Sequence, residues 1–482
     1  MKQQSQIALG AIAIFGMIAA QALAQIPYQV SRAPVQTVHR SIVPHTDKNG
    51  RALTEYDPQR SFFPIGMWGV ALGYDNSNWN ELKQAGFNTA WPWFDDTVDS
   101  LNEGARMDMQ VVLMHAALPT AASLKQRSPA QLEHLLGIQY LDEPTFASSS
   151  LSDVRGQHQT FVNYRNSIKA EFPDVPVFVT DSYMPPSGFE RVWADFAASG
   201  DLTTQDNFTY NTNSLTTLGR ATNPIGVPDQ ISAATSAVRG EKPVWALIGV
   251  FDNPQGTNHF ITPDQMRVKV YSALIHGATG IHYEMWDSWH ARAQGFVGIS
   301  PNPPLNGYGR RSDEISITPL QSQQSRDLWL AVGAVNEEIR ALTPSLLSPT
   351  VAAAELSYGL AISNRSASNS PDFSANPIRT ILKRDQNGDY LLLAVNLDNR
   401  SMDVTFDFTK ELAGVELLFE PSDASPTLLA DGKFTYAFSA FDSNVFRIRT
   451  AAVPEPASVV LFGCGCGAIG CSVIRLRSPS RR

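Results

Sequence analysis

The chain contains very little cysteine. Only Cys464, Cys466 and Cys471 occur among its 482 residues, all close to the C-terminus. The rest of the chain therefore offers neither a disulfide framework nor a cysteine-based zinc site. An excess of positive charge is also missing, because 37 Lys and Arg residues stand against 46 Asp and Glu residues, a net charge of −9. This balance argues against a nucleic-acid partner.

Sequence signatures of metals and cofactors are equally scarce. None of the nine histidines belongs to an H-E-x-x-H motif, and no G-x-G-x-x-G follows the first apolar run. His282 and Glu284 would share one face of a strand as potential ligands, but a histidine satisfied within a pocket is the favoured interpretation. Residues 385–389 resemble the start of a calcium loop, although Asn387-Gly388 favours a hairpin turn. We predict neither a metal nor a cofactor.

The first 24 residues read as a secretory signal peptide. Lys2 precedes an apolar run, and Ala22-Leu23-Ala24 has the small-x-small pattern of a cleavage site. An uncleaved membrane anchor is the alternative, but the apolar run is short for a span of about 20 residues. We expect export with cleavage after Ala24.

The last 30 residues carry a second signal. Val453-Pro454-Glu455-Pro456 precedes an apolar stretch at 457–474, and arginines end the chain. This order resembles the PEP-CTERM sorting signal of bacteria. The resemblance implies an exosortase-type enzyme as processing partner, transient anchoring in the inner membrane through 457–474, and a final location at the cell surface or outside the cell. A plain tail anchor is the alternative.

Between these ends, apolar runs alternate with amphipathic stretches from about residue 61 to 347. Eight runs are strand-like, and a helical segment accompanies each of them. They span 62–68, 87–93, 109–115, 137–143, 175–181, 202–208, 243–251 and 280–286. This alternation predicts an α/β fold, a (β/α)8 TIM barrel at 61–347. Residues 25–60 show no period and are interpreted as an N-terminal extension.

The pattern changes after Pro349. Short runs separated by turn residues occur at 358–363, 378–384, 390–396, 402–408, 415–419 and 445–450. They predict a small antiparallel β-sandwich at 350–450. The predicted organisation is thus a signal peptide, an extension, a barrel, a sandwich and a sorting tail at 453–482.

Acidic residues end several of the predicted barrel strands. Active sites of such barrels lie at the C-terminal ends of the strands. Acids ringed by aromatic side chains suit a carbohydrate, whose cleavage needs a carboxylate and a proton donor. The candidate catalytic residues are Asp142, Glu143, Asp206 and Glu284, and the candidate substrate-binding residues are Trp68, Trp91, Trp93, His115, Tyr140, Asp181, Tyr283 and Trp286.

Three segments resemble the (β/α)8 glycoside hydrolases of the retaining clan: residues 63–68 with 85–89, Tyr140-Leu141-Asp142-Glu143-Pro144, and residues 276–286. The resemblance implies that Glu143 is the general acid/base. It also implies an Asn before that Glu and a nucleophilic Glu on strand seven, but here Asp142 precedes Glu143 and residues 243–251 contain no Glu.

The second catalytic group therefore stays open. Glu284 or Asp206 would supply it from another strand. Asp142 and Glu143 would instead act together if the acetamido group of the substrate served as nucleophile. Neighbours on a strand point to opposite faces, so that pairing requires the strand to end and turn, which Pro144 favours.

Three functions fit the sequence. The first is an exported glycoside hydrolase acting on an extracellular poly- or oligosaccharide, without nucleic-acid partner and with membrane contact only through its tail. The second is a non-catalytic glycan-binding surface or matrix protein, which the missing strand-seven Glu supports. The third is a barrel with other chemistry, such as a lyase using His115 and Tyr140.

Overall fold

The computed structural model describes residues 62–70, 77–92, 97–114, 118–146, 148, 150–182, 188–207, 226–252, 259–286, 289–291, 294–300, 318–348, 350–365, 377–398, 400–419 and 425–451. The signal peptide at 1–24, the extension at 25–60 and the sorting tail at 453–482 lie outside these residues, as do Trp93 and His115. No helix in the described residues is long and apolar enough to cross a membrane.

Eight parallel strands close into a barrel in chain order, with β8 paired to β1. The strands are β1 (Ile65–Val70), β2 (Thr89–Pro92), β3 (Gln110–Leu113), β4 (Leu135–Asp142), β5 (Val177–Ser182), β6 (Thr203–Asn207), β7 (Val244–Gly249) and β8 (Gly280–Glu284). Their residues are almost entirely buried, as expected for a parallel sheet covered on its outer face by helices. The closed barrel confirms the predicted fold class.

A helical segment follows every strand. These are α1 (Ser77–Gln84), α2 (Thr97–Met107), the short pair α3 (Ala121–Lys125) and α4 (Pro129–Glu133), α5 (Leu151–Lys169), α6 (Glu190–Ser199), α7 (Val227–Ala237), α8 (Pro263–Ile275) and α9 (Pro319–Leu346). At the start of α8, Thr262 and Gln265 form a capping box around Pro263. The same arrangement of Thr318 and Gln321 starts α9.

Several predicted boundaries need correction. The runs at 243–251 and 280–286 extend past β7 and β8, which end at Gly249 and Glu284. Their apolar residues stay buried beyond the last ladder pair, so hydrophobicity alone does not show where pairing stops. The last helix, α9, begins at Pro319 because Thr318 caps it, and it continues to Leu346.

Aromatic side chains fill the barrel interior. The Trp91 ring lies 4.7 Å from the His282 ring and 5.8 Å from Phe178, and Trp245 lies 4.9 Å from His282. Trp91 Nε1 donates a hydrogen bond of 3.0 Å to Nδ1 of His282. Burial lowers the pKa of His282 to about 3, so this imidazole is neutral at physiological pH. The interior is therefore a packed core.

A two-stranded sheet, β9 (Trp289–Ala291) with β10 (Gln294–Phe296), precedes the sandwich. The sandwich strands are β11 (Tyr358–Ser363), β12 (Ile378–Arg384), β13 (Tyr390–Asn396), β14 (Met402–Phe408), β15 (Leu412–Leu418), β16 (Thr427–Leu428), β17 (Lys433–Phe438) and β18 (Ser443–Thr450). They form two antiparallel sheets, ordered β11-β14-β17-β16 and β12-β13-β18-β15. This confirms the second half of the fold class, although the sequence did not predict β16 and β17.

The turn between β12 and β13 settles the interpretation of residues 385–389. One Asp385 carboxylate oxygen, Oδ1, accepts hydrogen bonds from the backbone N–H groups of Asn387 and Asp389, at 2.8 and 2.9 Å. Gly388 adopts a φ of +88°, which glycine tolerates without strain. The segment is a hairpin turn held by its own backbone donors.

The sandwich packs on the helical side of the barrel. Ile381, Leu391 and Leu393 of the inner sheet are continuous with the barrel's hydrophobic core. Arg267 on α8 donates to the backbone oxygen and hydroxyl of Ser443 on β18 and to Glu338 on α9. One arginine thus joins both parts of the described chain.

Candidate functional site

Five carboxyl groups gather at the C-terminal ends of the barrel strands. Asp142 is the last residue of β4 and Glu143 follows it. Asp181 lies near the end of β5, Asp206 near the end of β6, and Glu284 ends β8. Parallel strands all end at the same rim, so residues far apart in the chain converge there. The structure brings together all four predicted catalytic candidates.

The end of β4 explains how two consecutive acids reach this group. The ladder between β4 and β5 shifts between Gln139 and Leu141, so that Asp142 pairs with Thr180. Glu143 then leaves the strand with a φ of +42°, while its backbone N–H donates to Thr180 O at 2.9 Å. A positive φ at a residue other than glycine is uncommon and carries strain. The strand has ended and turned, as the paired use of Asp142 and Glu143 requires.

Glu143 and Asp206 are directly linked. Their carboxyl groups share a hydrogen bond, which requires one of the two to hold a proton. Burial raises the pKa of Glu143, while the hydrogen bond from Asp206 opposes that rise. The pKa of Asp206 is raised well above its usual value by burial and then by the Glu143 charge.

Asp142 and Glu284 belong to the same electrostatic group. Burial and the Glu143 charge raise the pKa of Asp142 to about 7, although a 2.9 Å hydrogen bond from Gln139 Nε2 to Asp142 Oδ1 opposes the rise. Burial and then the charges of Asp142 and Glu143 raise the pKa of Glu284 well above its usual value. Asp142, Glu143 and Glu284 keep part of their surface exposed, whereas Asp206 is buried.

Glu284 lies at the end of β8, beside β7, the strand that contains no glutamate. It pairs in register with Gly249 at the end of β7 and with Trp68 on β1. The glycine leaves the β7 position without a side chain, and the acid comes from the neighbouring strand. Trp68 is the predicted aromatic that lies beside a carboxylate, and 5% of its surface is exposed.

Asp181 has a different environment from the one predicted. Both of its carboxylate oxygens accept hydrogen bonds of 2.9 Å from Thr145 Oγ1, and Oδ1 also accepts from the backbone of Ser182. Its exposed fraction is only 3%. Asp181 therefore holds the turn after Glu143 in place instead of presenting a free carboxylate.

Most of the remaining predicted aromatics lie away from the carboxyl groups. Trp91 is in the barrel interior, and Tyr283 faces outward with its ring edge against Phe87 at 5.8 Å. Trp286 packs against Trp329 at 5.0 Å. All three are fully buried, so their prediction as substrate contacts is corrected. Strand alternation sends Tyr283 to the helix side, opposite His282 and Glu284.

The Tyr140 side chain also points away from the cluster of carboxyl groups. The shift in the β4 ladder places its ring on the outer side of the barrel, 4.7 Å from Tyr164 and 5.7 Å from Phe161 on α5. The lyase interpretation thereby loses one of its two residues at the strand ends.

Gln139 and Thr145 support the site and were not predicted. Gln139 donates a hydrogen bond to Asp142, and Thr145 donates one to Asp181. The register shift that puts Gln139 and Asp142 on one face has no local sequence signal. Within the described residues, no group of three or more His, Cys, Asp or Glu side chains is arranged to hold a metal ion.

No protein-family model matches the chain, and no curated protein matches it. Several solved structures are similar to the chain. A GH51 arabinofuranosidase from Xanthomonas axonopodis pv. citri is 9% identical with a TM-score of 0.46, covering 82% of this chain and 97% of its own. An α-amylase from Anoxybacillus is 11% identical with a TM-score of 0.44, covering 81% and 98%. A GH42 β-galactosidase from G. stearothermophilus is 8% identical with a TM-score of 0.44, covering 80% and 98%. The chain is thus distantly similar to glycoside hydrolase structures.

Proposed function

We propose that this chain is a glycoside hydrolase that cleaves a bond in an extracellular poly- or oligosaccharide, with Glu143 as the general acid. The observation that carries the proposal is the cluster of carboxyl groups at the barrel rim. There a partly exposed Glu143 shares a hydrogen bond with Asp206, and its charge raises the pKa of Asp142, Asp206 and Glu284. Burial raises the pKa of Glu143, as a proton donor needs, and Asp206, whose pKa is raised well above its usual value, holds the proton between the two carboxyls and can pass it to Glu143.

The hydrogen bond assigns different roles to Asp206 and Glu284. Catalytic carboxyls flanking a glycosidic bond stand about 5–5.5 Å apart in retaining enzymes and about 6.5–9.5 Å apart in inverting ones. Hydrogen-bonded carboxyls stand at roughly 3 Å, which leaves no room for a sugar between them. Asp206 is accordingly a positioning residue that shares a proton with Glu143. We assign Glu284, which is charge-coupled but not hydrogen-bonded to Glu143, as the second catalytic carboxylate. Burial and then the charges of Asp142 and Glu143 raise its pKa, so Glu284 acts in this role only once it has ionised, and activity should rise with pH as it does so.

The reaction follows from these roles. Glu143 gives its proton to the glycosidic oxygen as the bond from that oxygen to the anomeric carbon breaks, and the leaving sugar departs as an alcohol. Glu284 either attacks the anomeric carbon or takes a proton from the water that does so. If Glu284 attacks, water then adds to the anomeric carbon, the bond from that carbon to Glu284 breaks, and Glu143 takes the proton of the water. If Glu284 instead activates the water, the oxygen of that water becomes the new hydroxyl of the sugar, Glu284 releases the proton to solvent, and Glu143 takes one up.

Substrate assistance is the alternative mechanism, and the turn at Glu143 meets its geometric requirement. In that mechanism Asp142 must be charged to stabilise the acetamido group of the substrate. Burial and the Glu143 charge raise the pKa of Asp142 to about 7, so this mechanism needs a pH above about 7.

The second candidate function is a non-catalytic glycan-binding barrel. The sequence of β7, Val244–Gly249, favours it, because this strand contains no glutamate to serve as the strand-seven nucleophile that the resemblance implies. Hydrolysis by the purified protein separates the two functions.

The test is hydrolysis of a glycan panel by the wild-type chain and by Glu143→Gln and Glu284→Gln. We expect each substitution to lower kcat by a factor of about 10² to 10⁴, the range for loss of a general acid or base. Glu337→Gln, on the exposed face of α9, is the matched control and should keep full activity. Turnover that is unchanged in Glu143→Gln would remove Glu143 from the mechanism.

Export and surface attachment belong to the same proposal. They are supported by the sequence patterns at 1–24 and 453–482, which lie outside the described residues. We expect the mature protein to begin at Gln25. N-terminal sequencing of protein recovered from the producing bacterium measures this, and a mature chain that begins at Met1 would contradict cleavage.

A further inference from the structure

A groove runs along the outside of the barrel where β4 meets α5. Its volume is 440 Å³, and Tyr140, Leu141, Ser152, Asp153, Gly156, Gln157 and Thr160 line it. The volume lies within the range of small-molecule sites, about 300–1,000 Å³. Tyr140 and Leu141 directly precede the Asp142-Glu143 pair, so the groove borders the strand end that carries the proposed acid.

Gly156 creates the open space of this groove. It lies within the 19-residue helix α5, where glycine costs about 1 kcal/mol relative to alanine. No turn or close contact requires it, since a Cβ built there meets no heavy atom within 4 Å. On a helix, positions four residues apart are neighbours, so Ser152 and Thr160 stand on either side of the gap. The glycine weakens the helix and leaves the surface between these side chains open.

The chemistry of the lining selects a ligand class. One side is the partly buried ring of Tyr140, fixed from behind by Tyr164, whose Oη donates to Pro119 O at 2.6 Å. The other side presents exposed hydroxyl, amide and carboxylate groups from Ser152, Gln157 and Asp153. A flat apolar face opposite several donors and acceptors suits a sugar ring, which has C–H patches and hydroxyls. Asp153 disfavours an anionic ligand by like-charge repulsion.

A second aromatic residue follows the proposed acid in the chain. Phe146 lies in the turn that follows Glu143 and is 52% exposed, although large apolar side chains are usually covered. The turn is held from below by the Thr145–Asp181 hydrogen bonds. Tyr140 and Phe146 thus stand three residues before and three residues after the proposed acid.

We infer that this groove is a second glycan-binding site, which holds a neutral polysaccharide chain outside the catalytic rim. The inference deepens the proposed function, since it names an uncharged polymer as the substrate class and assigns its binding to residues that take no part in bond cleavage.

The test is affinity electrophoresis of the full chain in native gels containing starch, mixed-linkage β-glucan, arabinan or galactan, with polygalacturonate as an anionic probe. All variants carry Glu143→Gln so that the polymer is not cut during the run. Gly156→Leu fills the groove with a good helix former, and circular dichroism checks that its fold is kept. Gln159→Leu is the matched control, because it places the same side chain on an exposed position of α5 that does not line the groove.

We expect at least one neutral polymer to retard the parent chain, Gly156→Leu to weaken that retardation at least tenfold, and Gln159→Leu to leave it unchanged. The inference is overturned if Gly156→Leu is retarded like its parent, if only polygalacturonate retards the chain, or if no polymer does. Failure of the proposed function is seen separately, as absence of hydrolysis by the chain with Glu143 intact, whatever the gels show.

Discussion

At the residue scale, the site is governed by the cost of placing acids close together. Burial raises the pKa of Asp142, Glu143, Asp206 and Glu284, and the Glu143 charge adds to the rise at the other three. In a cluster of this kind, some of the carboxyl groups stay protonated at neutral pH, so the number of negative charges is smaller than the number of carboxyl groups. A proton is therefore already present where the proposed reaction needs a donor.

The raised pKa of Asp142 makes the stability of the fold depend on pH. Its pKa rises from 3.8 to about 7 on folding, so the folded state binds the proton more tightly than the unfolded state. Stability from this group is fully present below pH 3.8 and is lost as the pH rises through about 7. Relative to Asp142→Asn, we expect the wild-type free energy of unfolding to fall between pH 4 and pH 7, by at most about 1.4 kcal/mol per pH unit.

Urea denaturation of both chains across this pH range measures the difference. Asp195→Asn on α6 is the control, since Asp195 is exposed and distant in sequence from the carboxyl group. A difference between wild type and Asp142→Asn that does not change with pH would contradict the buried, charge-coupled environment of Asp142.

At the scale of elements, β1 and β8 approach each other closely around one glycine. A Cβ added at Gly66 would lie 2.0 Å from Nδ1 of His282 and 3.1 Å from Nε1 of Trp91. Both neighbours are fully buried in the barrel interior and have no space to retreat. The Trp91–His282 hydrogen bond is therefore compatible only with glycine at this place on β1.

Gly66→Ala is expected to destabilise the barrel by about 1–3 kcal/mol, the cost of overpacking a dense core. Gly156→Ala is the matched substitution at a glycine with open space, and it should stabilise the chain by about 0.5–1 kcal/mol. Thermal unfolding of both variants gives the comparison. Equal stability of Gly66→Ala and wild type would show that the β1–β8 contact is looser than described.

At the scale of the whole molecule, Arg267 joins three elements. It donates to Ser443 on β18 and pairs with Glu338 on α9, whose second oxygen accepts from Tyr271 Oη at 2.5 Å. Glu338 is only 8% exposed. A buried carboxylate that loses its cation is costly, so this pairing couples the barrel helices to the sandwich.

Arg267→Ala should destabilise the chain by about 3 kcal/mol and weaken the coupling between barrel and sandwich. We expect calorimetric unfolding to separate into two transitions in this variant. Arg340→Ala is the control, because Arg340 is exposed and lies 3.9 Å from its partner Glu337. A single transition at the wild-type temperature would show that Arg267 does not couple the two parts.

The architecture and the set of acids could be predicted from sequence patterns. The alternation of apolar and amphipathic segments predicted the barrel, and four sandwich strands have the predicted bounds, because periodicity is a local property. Acids at strand ends meet at one rim in any parallel barrel.

Which of the acids interact, and which of the aromatic residues lie away from them, could not be predicted from these patterns. The Glu143–Asp206 hydrogen bond depends on the register shift in β4 and on the positive φ of Glu143. The same shift sends Tyr140 to the outer face, where it lines the groove at Gly156. Register, turn geometry and barrel closure arise from contacts between distant segments, so no single stretch of sequence records them.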